Sequence, residues 1–448
     1  MKHASPNIKR QGILSGPKKT ACFTICRKMQ HKHSSLFAAY FILFLDNLGY
    51  AILFQILPLI FIDPSYHFLP QETIISTRNI LLSLLLAIFP LAQFFAAPIF
   101  GDIADRCGRK KVLFWLLLGS FIGYCFTAAG LAFKLYYLLF LSRLFSGIFG
   151  CSLAISMAIV ADLSPYKSLR GKRLGTVAAL IGLGWLIALL LGTVFTNPLF
   201  FAFVNSSLLF WILPAFSILN MIVLFTCYRE PEKTNLPPNL FKGIHRIVHL
   251  LEMKHLRTFY LVFFFWFLGY LISLQWIFPV SIEKFQVSEG QIIALLLSWG
   301  CIWVFSSGFL NRWLINRLSL WPLNLWTLFG LSLFLFFSGV SNFFLFFAIT
   351  YVVGGMFAAL TWGNTLSLIS LAIRQEEQGK GMGIALSMFS LTQIFGPFLG
   401  GTIAGFSIGP LFYGCSLLAF ISFLLLLIYV VRPRRPSTKK FFIEPIRR

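Results

Sequence analysis

The chain has 448 residues, of which 58% are hydrophobic and only 11% charged, and its mean hydropathy is +0.82. A soluble domain carries about 25% charged residues, so this composition excludes a soluble globular protein and predicts an integral membrane protein. The net charge of +23 would suggest nucleic-acid binding in a soluble chain. Here the distribution of the charge favours a topology signal instead, and no nucleic-acid partner is expected.

The predicted elements begin with residues 1–35, a polar and basic tail without an apolar core, which is not expected to be a cleaved signal peptide. Twelve apolar runs follow. Each has about 20 residues or more and can cross a hydrocarbon core of about 30 Å as a helix. The runs are 36–62, 80–100, 112–133, 136–160, 174–196, 201–228, 258–281, 290–310, 320–340, 343–370, 382–406 and 409–431.

The longest link, 229–257, divides the twelve runs into six and six. We therefore predict a six-helix bundle over 36–228, a central cytoplasmic linker, a second bundle over 258–431 and a basic tail over 432–448. Links six runs apart share weak likeness, which indicates an internal repeat. Within the linker, His245 and His249 are four residues apart, but a solvated basic face is the favoured interpretation and no metal site is predicted.

Lys and Arg residues are distributed very unevenly between the two sides of the predicted bundle. Of the 37, the termini and every second link hold 33, whereas the opposite links hold only Arg78, Lys134 and Lys284. Positive residues collect on the cytoplasmic side of membrane proteins. The pattern predicts that both termini are cytoplasmic.

The link after the second run reads "GDIADRCGRKK". It resembles motif A of the major facilitator superfamily, a Gly-x-Leu-Ala-Asp-Arg-x-Gly-Arg-Lys pattern in which only Ile103 replaces the usual Leu. The resemblance implies a conformational lock between the two bundles, with Asp105 facing the start of the eleventh helix near Gly381. Asp162, after the fourth run, resembles the third partner of this cluster. The expected lock residues are Gly101, Asp102, Asp105, Arg106, Gly108, Arg109 and Asp162.

Further motifs carry the same resemblance. "RLFSG", from Arg143 to Gly147, resembles motif B. The first run resembles the tetracycline and multidrug proton-antiporter branch, with Asp46, then Gly49, then Pro58. Together the likeness covers residues 36–431, and it implies the twelve-helix, all-α major facilitator fold built from two six-helix bundles.

Two departures from the antiporter pattern stand out. In the fifth run, Ala188 and Leu189 stand where motif C has Gly-Pro, and the complete hexamer "GPFLGG" occurs only at 396–401. Between 258 and 431 the acidic residues lie only in predicted links. Both departures argue against tetracycline as the substrate and weaken the assignment of proton antiport.

Two ionisable residues are predicted deep in the membrane. A charge at the depth expected for Asp46 costs about 3 kcal/mol or more, and such residues usually face a cavity and function there. The alternative is a structural or permanently protonated carboxyl. Arg143 is predicted at a different depth, which favours a relay through water or substrate over a direct ion pair. Arg143 can equally hold its own helix by bonding carbonyl oxygens.

Polar side chains of the second half could line the other wall of a cavity for an amphipathic organic substrate, although helix packing is the alternative for each. They are Gln275, Trp276, Trp362, Asn364 and Gln393. The eight cysteines show no metal-binding spacing, and the chain lacks a nucleotide-binding loop, so no cofactor is predicted.

The sequence thus predicts a secondary transporter and not an enzyme. We expect alternating access around a midplane site, proton-coupled export of a drug or metabolite, a monomer in the lipid bilayer, and a location in the bacterial inner membrane. One alternative is an importer or facilitator of the same superfamily. An alternative of another class is a membrane sensor or scaffold that does not transport.

Overall fold

The computed structural model describes residues 17–62, 68–70, 72–195, 211–230, 253–406 and 411–431. The predicted tail 432–448, most of the predicted central linker and residues 1–16 lie outside these ranges. The two histidines of the linker therefore also lie outside the described residues. The predicted domain boundaries stay a prediction.

Seven helices lie in the described residues of the first half of the chain. They are α1 (Pro17–Ile62), α2 (Ile75–Cys107), α3 (Arg109–Ala132), α4 (Tyr136–Phe149), α5 (Ser152–Asp162), α6 (Lys167–Phe195) and α7 (Ile212–Cys227).

The second half, over 253–406 and 411–431, contains eight helices and a π-helical turn. The elements are α8 (Lys254–Gln275), α9 (Ile277–Phe285), α10 (Glu289–Phe305), the π turn Ser306–Leu310, α11 (Asn311–Arg317), α12 (Leu320–Val340), α13 (Phe344–Ala372), α14 (Gln378–Phe406) and α15 (Leu411–Val431). A short 3-10 turn, Gln375–Glu377, precedes α14.

Eleven segments of the described chain are long and apolar enough to cross a membrane, and α7 is a shorter apolar helix. The run that contains α7 was predicted to begin at residue 201, but residues 196–210 lie outside the described ranges. The predicted all-α polytopic fold is confirmed. The protein is an integral, multi-pass membrane protein.

The structure differs from the predicted runs at the start of α1 and inside three spans. Helix α1 begins at Pro17, well before residue 36, although only His33–Phe54 qualifies as its membrane span. Lysine, arginine and glutamine are good helix formers, so a basic segment can prolong a helix beyond the bilayer.

Three predicted runs are interrupted. The fourth is divided at Gly150 and Cys151 into α4 and α5, and the eighth contains the π turn. The seventh is divided at Trp276. Pro279 explains that last break, because it has no backbone N–H to bond the carbonyl of Gln275 four residues earlier.

Five helices form most of the interface between the two halves. Helix α2 packs along α14, and α6 packs against α10 and α13. Glycines allow the closest approaches: a Cβ added to Gly363 in α13 would lie 2.9 Å from the Cα of Gly175 in α6. Real Cβ atoms do not approach backbone so closely, so these two helices meet backbone to backbone.

Candidate functional site

The functional residues form two groups, one at an end of the bundle and one inside it. We use "basic face" for the end that carries residues 101–111, 162–173, 312–317 and 374–380. We use "opposite face" for the end that carries Arg78, Lys134 and Lys284.

At the basic face, Asp105 joins the two halves of the molecule. Its carboxylate accepts hydrogen bonds from the backbone N–H groups of Gly379 and Lys380, each at 2.9 Å. These groups lie in the first turn of α14, where a helix presents unpaired N–H groups and a partial positive charge. The predicted partner near Gly381 is therefore found at the two preceding residues.

Arg109 connects Asp105 to the rest of the first half. Its guanidinium lies 3.4 Å from Asp105 and 2.8 Å from Asp162, with the Arg109 side chain only 4% exposed. Buried charge pairs contribute to stability only when their geometry is good and their hydrogen bonds are satisfied. Helix α3 begins at Arg109, so the turn between α2 and α3 places this arginine between two carboxylates on α2 and α5.

The two predicted glycines have separate roles. A Cβ on Gly101 would collide with the carbonyl oxygen of Gly379, so Gly101 allows α2 to contact α14. Gly108 has a φ of 94°, which residues with a Cβ rarely adopt. Asp102 and Arg106 pair at 3.2 Å along α2. The structure thus brings all seven predicted lock residues to one face.

Sequence reasoning missed Glu230, which follows α7. Its carboxylate accepts hydrogen bonds from the backbone N–H groups of Arg109 and Lys110. In return, Lys110 donates to the carbonyl oxygen of Tyr228 at 3.0 Å. Burial raises the pKa of Tyr228, so this tyrosine is neutral at the edge of the cluster. The carboxylate stabilises the start of α3, and the lysine stabilises the end of α7.

A second connection between the halves lies at the same face. Arg170 in α6 donates to the carbonyl oxygen and hydroxyl of Ser370 at 3.1 and 3.2 Å. Gln378 holds Ser370 from the other side, with a hydrogen bond of 2.8 Å between its Oε1 and the serine hydroxyl. Arg312 in α11 donates to Thr176 of α6 at 2.8 Å.

Inside the first half, Asp46 of α1 accepts a hydrogen bond from the hydroxyl of Ser152, the first residue of α5. Tyr124 and Cys151 lie close enough to interact electrostatically with the Asp46 carboxylate. Among the described residues no ion pair joins Asp46 to a basic side chain. The ionised form of this carboxyl is therefore stabilised by a hydrogen bond and not by a neighbouring cation.

Arg143 of α4 is buried at 3% exposure. Its Nη2 donates to Thr127 at 3.3 Å, its guanidinium lies 5.8 Å from the ring centroid of Phe89, and its Nε has no hydrogen-bond partner. Tyr124 interacts electrostatically with both Arg143 and Asp46. The expected absence of a direct ion pair holds within the described residues, and a tyrosine lies near both groups.

Gln393 of α14 is the predicted second-half residue with the clearest contact to this group. Its Oε1 accepts a hydrogen bond of 2.6 Å from the hydroxyl of Tyr50 in α1. The Tyr50 ring lies 4.7 Å from that of Phe89 and 6.1 Å from that of Trp185. A polar pair between the halves is therefore surrounded by aromatic rings from the first half.

The other four predicted cavity residues are placed differently. The side chain of Gln275 has a buried Oε1 without a partner, and Trp276 lies beside Gly400, at the break between α8 and α9. Trp362 is 3% exposed and packs in the core beside Phe263. Asn364 is fully buried, and neither polar atom of its amide has a partner. The structure does not bring these four into contact with Asp46.

Comparison with known proteins adds to this geometry. The family model described as Major Facilitator Superfamily matches residues 39–337 and 323–447. The chain belongs to the Major Facilitator Superfamily. This membership confirms the resemblance seen in the motif at 101–111, and it identifies the protein as a transporter.

Members of the superfamily with related sequences include two resistance proteins. The class B tetracycline resistance protein of Escherichia coli is 23% identical over 421 residues, which cover 91% of this chain and 99% of the relative. Multidrug resistance protein 1 of Bacillus subtilis is 27% identical over 344 residues, covering 73% of this chain and 82% of the relative.

Solved structures of the superfamily show the same fold. The human organic anion transporter MFSD10 matches with a TM-score of 0.74 at 19% identity, covering 88% of this chain and 99% of that one. The proton:xylose symporter XylE matches with a TM-score of 0.70 at 16% identity, covering 90% and 96%. Within the described residues, no group of three or more potential metal ligands comes together.

Proposed function

We propose that the protein exports a small organic compound in exchange for protons, by alternating access between the basic face and the opposite face. The observation that carries this proposal is the position of Asp46, whose carboxylate is hydrogen-bonded to Ser152 and has no basic partner among the described residues. The names of the tetracycline and multidrug resistance relatives support export of a drug-like compound.

In this mechanism Asp46 carries the proton. An ionised carboxylate accepts the Ser152 hydroxyl more strongly than a protonated one does, because charge-assisted hydrogen bonds are roughly twice as strong as neutral ones. Binding of a proton from one side of the membrane would weaken the hydrogen bond from Ser152 at the start of α5. Release of the proton to the other side would strengthen that bond again. Arg143 and the Tyr50–Gln393 pair are the proposed contacts for the polar part of the substrate, with the nearby aromatic rings receiving its apolar part.

At the basic face, the cluster of Asp105, Arg109 and Asp162 is the proposed lock of this cycle. It holds the two halves together on one side and must separate before substrate can enter from there. Asp105 bonds to N–H groups in the first turn of α14. The lock can therefore open without breaking the hydrogen bonds inside that helix.

A second candidate is import or facilitated transport of a metabolite. The replacement of Gly-Pro in motif C by Ala188 and Leu189 favours it. Two structures with the same fold belong to proton symporters, for xylose and for fucose. Proton movement measured together with substrate movement separates the candidates, because export by antiport moves the two in opposite directions.

We further propose that the basic face is cytoplasmic and that the membrane is the bacterial inner membrane. Ser168 at the basic face and Ser288 at the opposite face are both exposed. In a background without native cysteines, Ser288→Cys should react with an impermeant thiol reagent added to intact cells, and Ser168→Cys should react only after lysis. Labelling of Ser168→Cys in intact cells would reverse the proposed orientation.

Asp46→Asn tests the proposed coupling. A substrate is first identified as a compound that raises the thermal transition of the purified protein, since a ligand of the folded state stabilises it. Inside-out vesicles with an imposed proton gradient should then concentrate that compound with the parent protein and not with Asp46→Asn. Exchange of labelled for unlabelled compound should persist in Asp46→Asn, because exchange needs no net proton release. Equal accumulation by both proteins would make Asp46 structural.

A further inference from the structure

Gln93 of α2 is a buried amide, 5% exposed, whose two ends are held by different halves of the molecule. Its Nε2 donates to the carbonyl oxygen of Gly150 at 2.6 Å, and its Oε1 accepts from the hydroxyl of Ser390 in α14 at 2.7 Å. If the amide moved with only one of its partners, its hydrogen bond to the other would be lost. The side chain is therefore a direct polar link between α4 and α14.

The first-half partner of Gln93 lies in the break between α4 and α5. Gly150 and Cys151 separate the two helices, and α5 begins at Ser152, which donates to Asp46. Only Cys151 thus separates the residue whose carbonyl bonds Gln93 from the residue whose hydroxyl bonds Asp46. A break in a helix permits the two segments to shift against each other more easily than a continuous helix would.

Close packing fixes Gln93 against this break. A Cβ on Gly147 of α4 would collide with the carbonyl oxygen of Phe89 in α2, so α2 and α4 approach each other there almost backbone to backbone. Gln93 is one turn further along α2 from Phe89 and reaches the end of α4. The amide therefore has little freedom to follow a displaced Gly150 by changing its own conformation.

We propose that Gln93 is a positioning residue that transmits the protonation state of Asp46 to the contact between the two halves. A change in the Ser152–Asp46 hydrogen bond alters the start of α5 and the break before it. Gln93 passes that change to Ser390 in α14, the helix whose first turn is held by Asp105. This inference rests on the proposed proton role of Asp46 and adds the route by which that role reaches the second half.

The groups that face Asp46 bear on this coupling as well. Tyr124 of α3 and Cys151 before α5 are the titratable side chains within electrostatic range of Asp46, and Arg143 is the charged group next to Tyr124. The link through Ser152, Gly150 and Gln93 continues by a hydrogen bond to Ser390 of α14. A separate hydrogen bond into α14 joins Tyr50, one turn from Asp46 on α1, to Gln393.

Ser387 of α14 provides a matched control for Ser390. Its hydroxyl donates to the carbonyl oxygen of Phe94 at 2.7 Å, so it also joins α14 to α2, one turn away from Ser390. Its partner is a backbone carbonyl of α2, so this bond does not use the Gln93 side chain that contacts the break at Gly150. A general weakening of the α2–α14 interface would affect both serines, whereas loss of coupling is specific to Ser390 and Gln93.

The experiment measures the distance across the basic face. Spin labels are attached to Ser168→Cys and Gln375→Cys, which replace exposed residues of the two halves, in purified protein without native cysteines. The ratio of closed to open populations is compared with and without Asp46→Asn, which stands for the protonated state. The same comparison is made in Gln93→Met, Ser390→Ala and Ser387→Ala.

We expect Asp46→Asn to change the ratio of closed to open populations by about fivefold or more, which is the lower end of typical coupling between sites. This change should occur both in the parent protein and in Ser387→Ala. In Gln93→Met and Ser390→Ala the change should fall below about twofold. Ser390→Ala decides alone if Gln93→Met does not fold. A full response in Ser390→Ala would overturn the inference while leaving the proton role of Asp46 intact. No response in the parent protein would overturn both.

Discussion

The two ends of the bundle use their charged residues in opposite ways. At the basic face, Asp105 bonds to the start of α14 and Arg170 bonds to Ser370, so side chains of one half hold the other. At the opposite face, Arg78 donates to the carbonyl oxygens of Phe61, Pro70 and Thr73, all in its own half. Lys284 likewise donates to Gly339 within the second half.

This difference shows at which end of the molecule charged side chains connect the two halves. Arginine at the opposite face bonds within its own half, whereas Asp105 and Arg170 at the basic face bond to the other half. In an alternating-access cycle, the contacts between bundles are the ones that must break and form again. The lock described at the basic face is therefore where substitutions should change the equilibrium between closed and open states most strongly.

Asp105→Asn should have the largest effect on the contact between the two halves at the basic face. Each hydrogen bond from Asp105 to α14 has a charged acceptor, and such bonds contribute about 1.5–3 kcal/mol. Loss of the charge should lower the closed-to-open ratio of the Ser168→Cys and Gln375→Cys label pair by roughly 100-fold, which corresponds to about 3 kcal/mol. Transport turnover should fall with it.

Glu376→Gln is the control for Asp105→Asn, because Glu376 is an exposed carboxylate at the same face. Its removal changes the net charge equally but removes no contact of the lock. An unchanged ratio in Asp105→Asn, with normal insertion, would show that the contact with α14 is incidental.

Gly363→Ala tests the backbone contact between α13 and α6. A Cβ there would lie 2.9 Å from Gly175 and 3.4 Å from Leu174, so the two halves must separate to admit it. Overpacking of this kind costs about 1–3 kcal/mol, and the closed-to-open ratio should fall roughly tenfold. In the control Gly354→Ala on the same helix, the nearest atom, of Phe334, lies at 3.6 Å, and the ratio should not change.

Glu230→Gln should have the smallest effect, since Glu230 acts at the basic face but within the first half. A carboxylate at a helix N-terminus contributes about 0.3–1 kcal/mol, so the closed-to-open ratio should change by less than about fivefold. Local opening of the turn between α2 and α3 should instead speed alkylation of Cys107. The control is Glu72→Gln, an exposed carboxylate elsewhere in the chain. A change as large as that of Asp105→Asn would mean that Glu230 belongs to the lock itself.

Much of the basic face could be predicted from the sequence, because its residues are close together in the chain and their spacing is distinctive. Asp105 and Arg109 are one helical turn apart and do pair. The helix terminus opposite Asp105 was predicted within two residues. The twelve apolar runs follow from length and composition alone, since a bilayer requires about 20 apolar residues for each helix.

The interior group was less predictable, because its partners are far apart in the sequence. Tyr50 and Gln393 are separated by 343 residues, and Gln93 and Ser390 by 297. Trp362 was considered both for a cavity wall and for helix packing, and it packs beside Phe263; a large aromatic side chain suits either place. The break at Gly150 left no signal in the apolar pattern, because glycine and small residues are common in membrane helices.

The π turn Ser306–Leu310 determines the direction in which the side chains of α11 point relative to those of α10. One extra residue in a helix advances the side chains by about 100°, so α11 presents a different side from the one that α10 would have continued. That side carries Asn311, which donates to the carbonyl oxygen of Gly171 at 3.4 Å, and Arg312. A register error of a single residue here would turn the amide and the guanidinium away from α6.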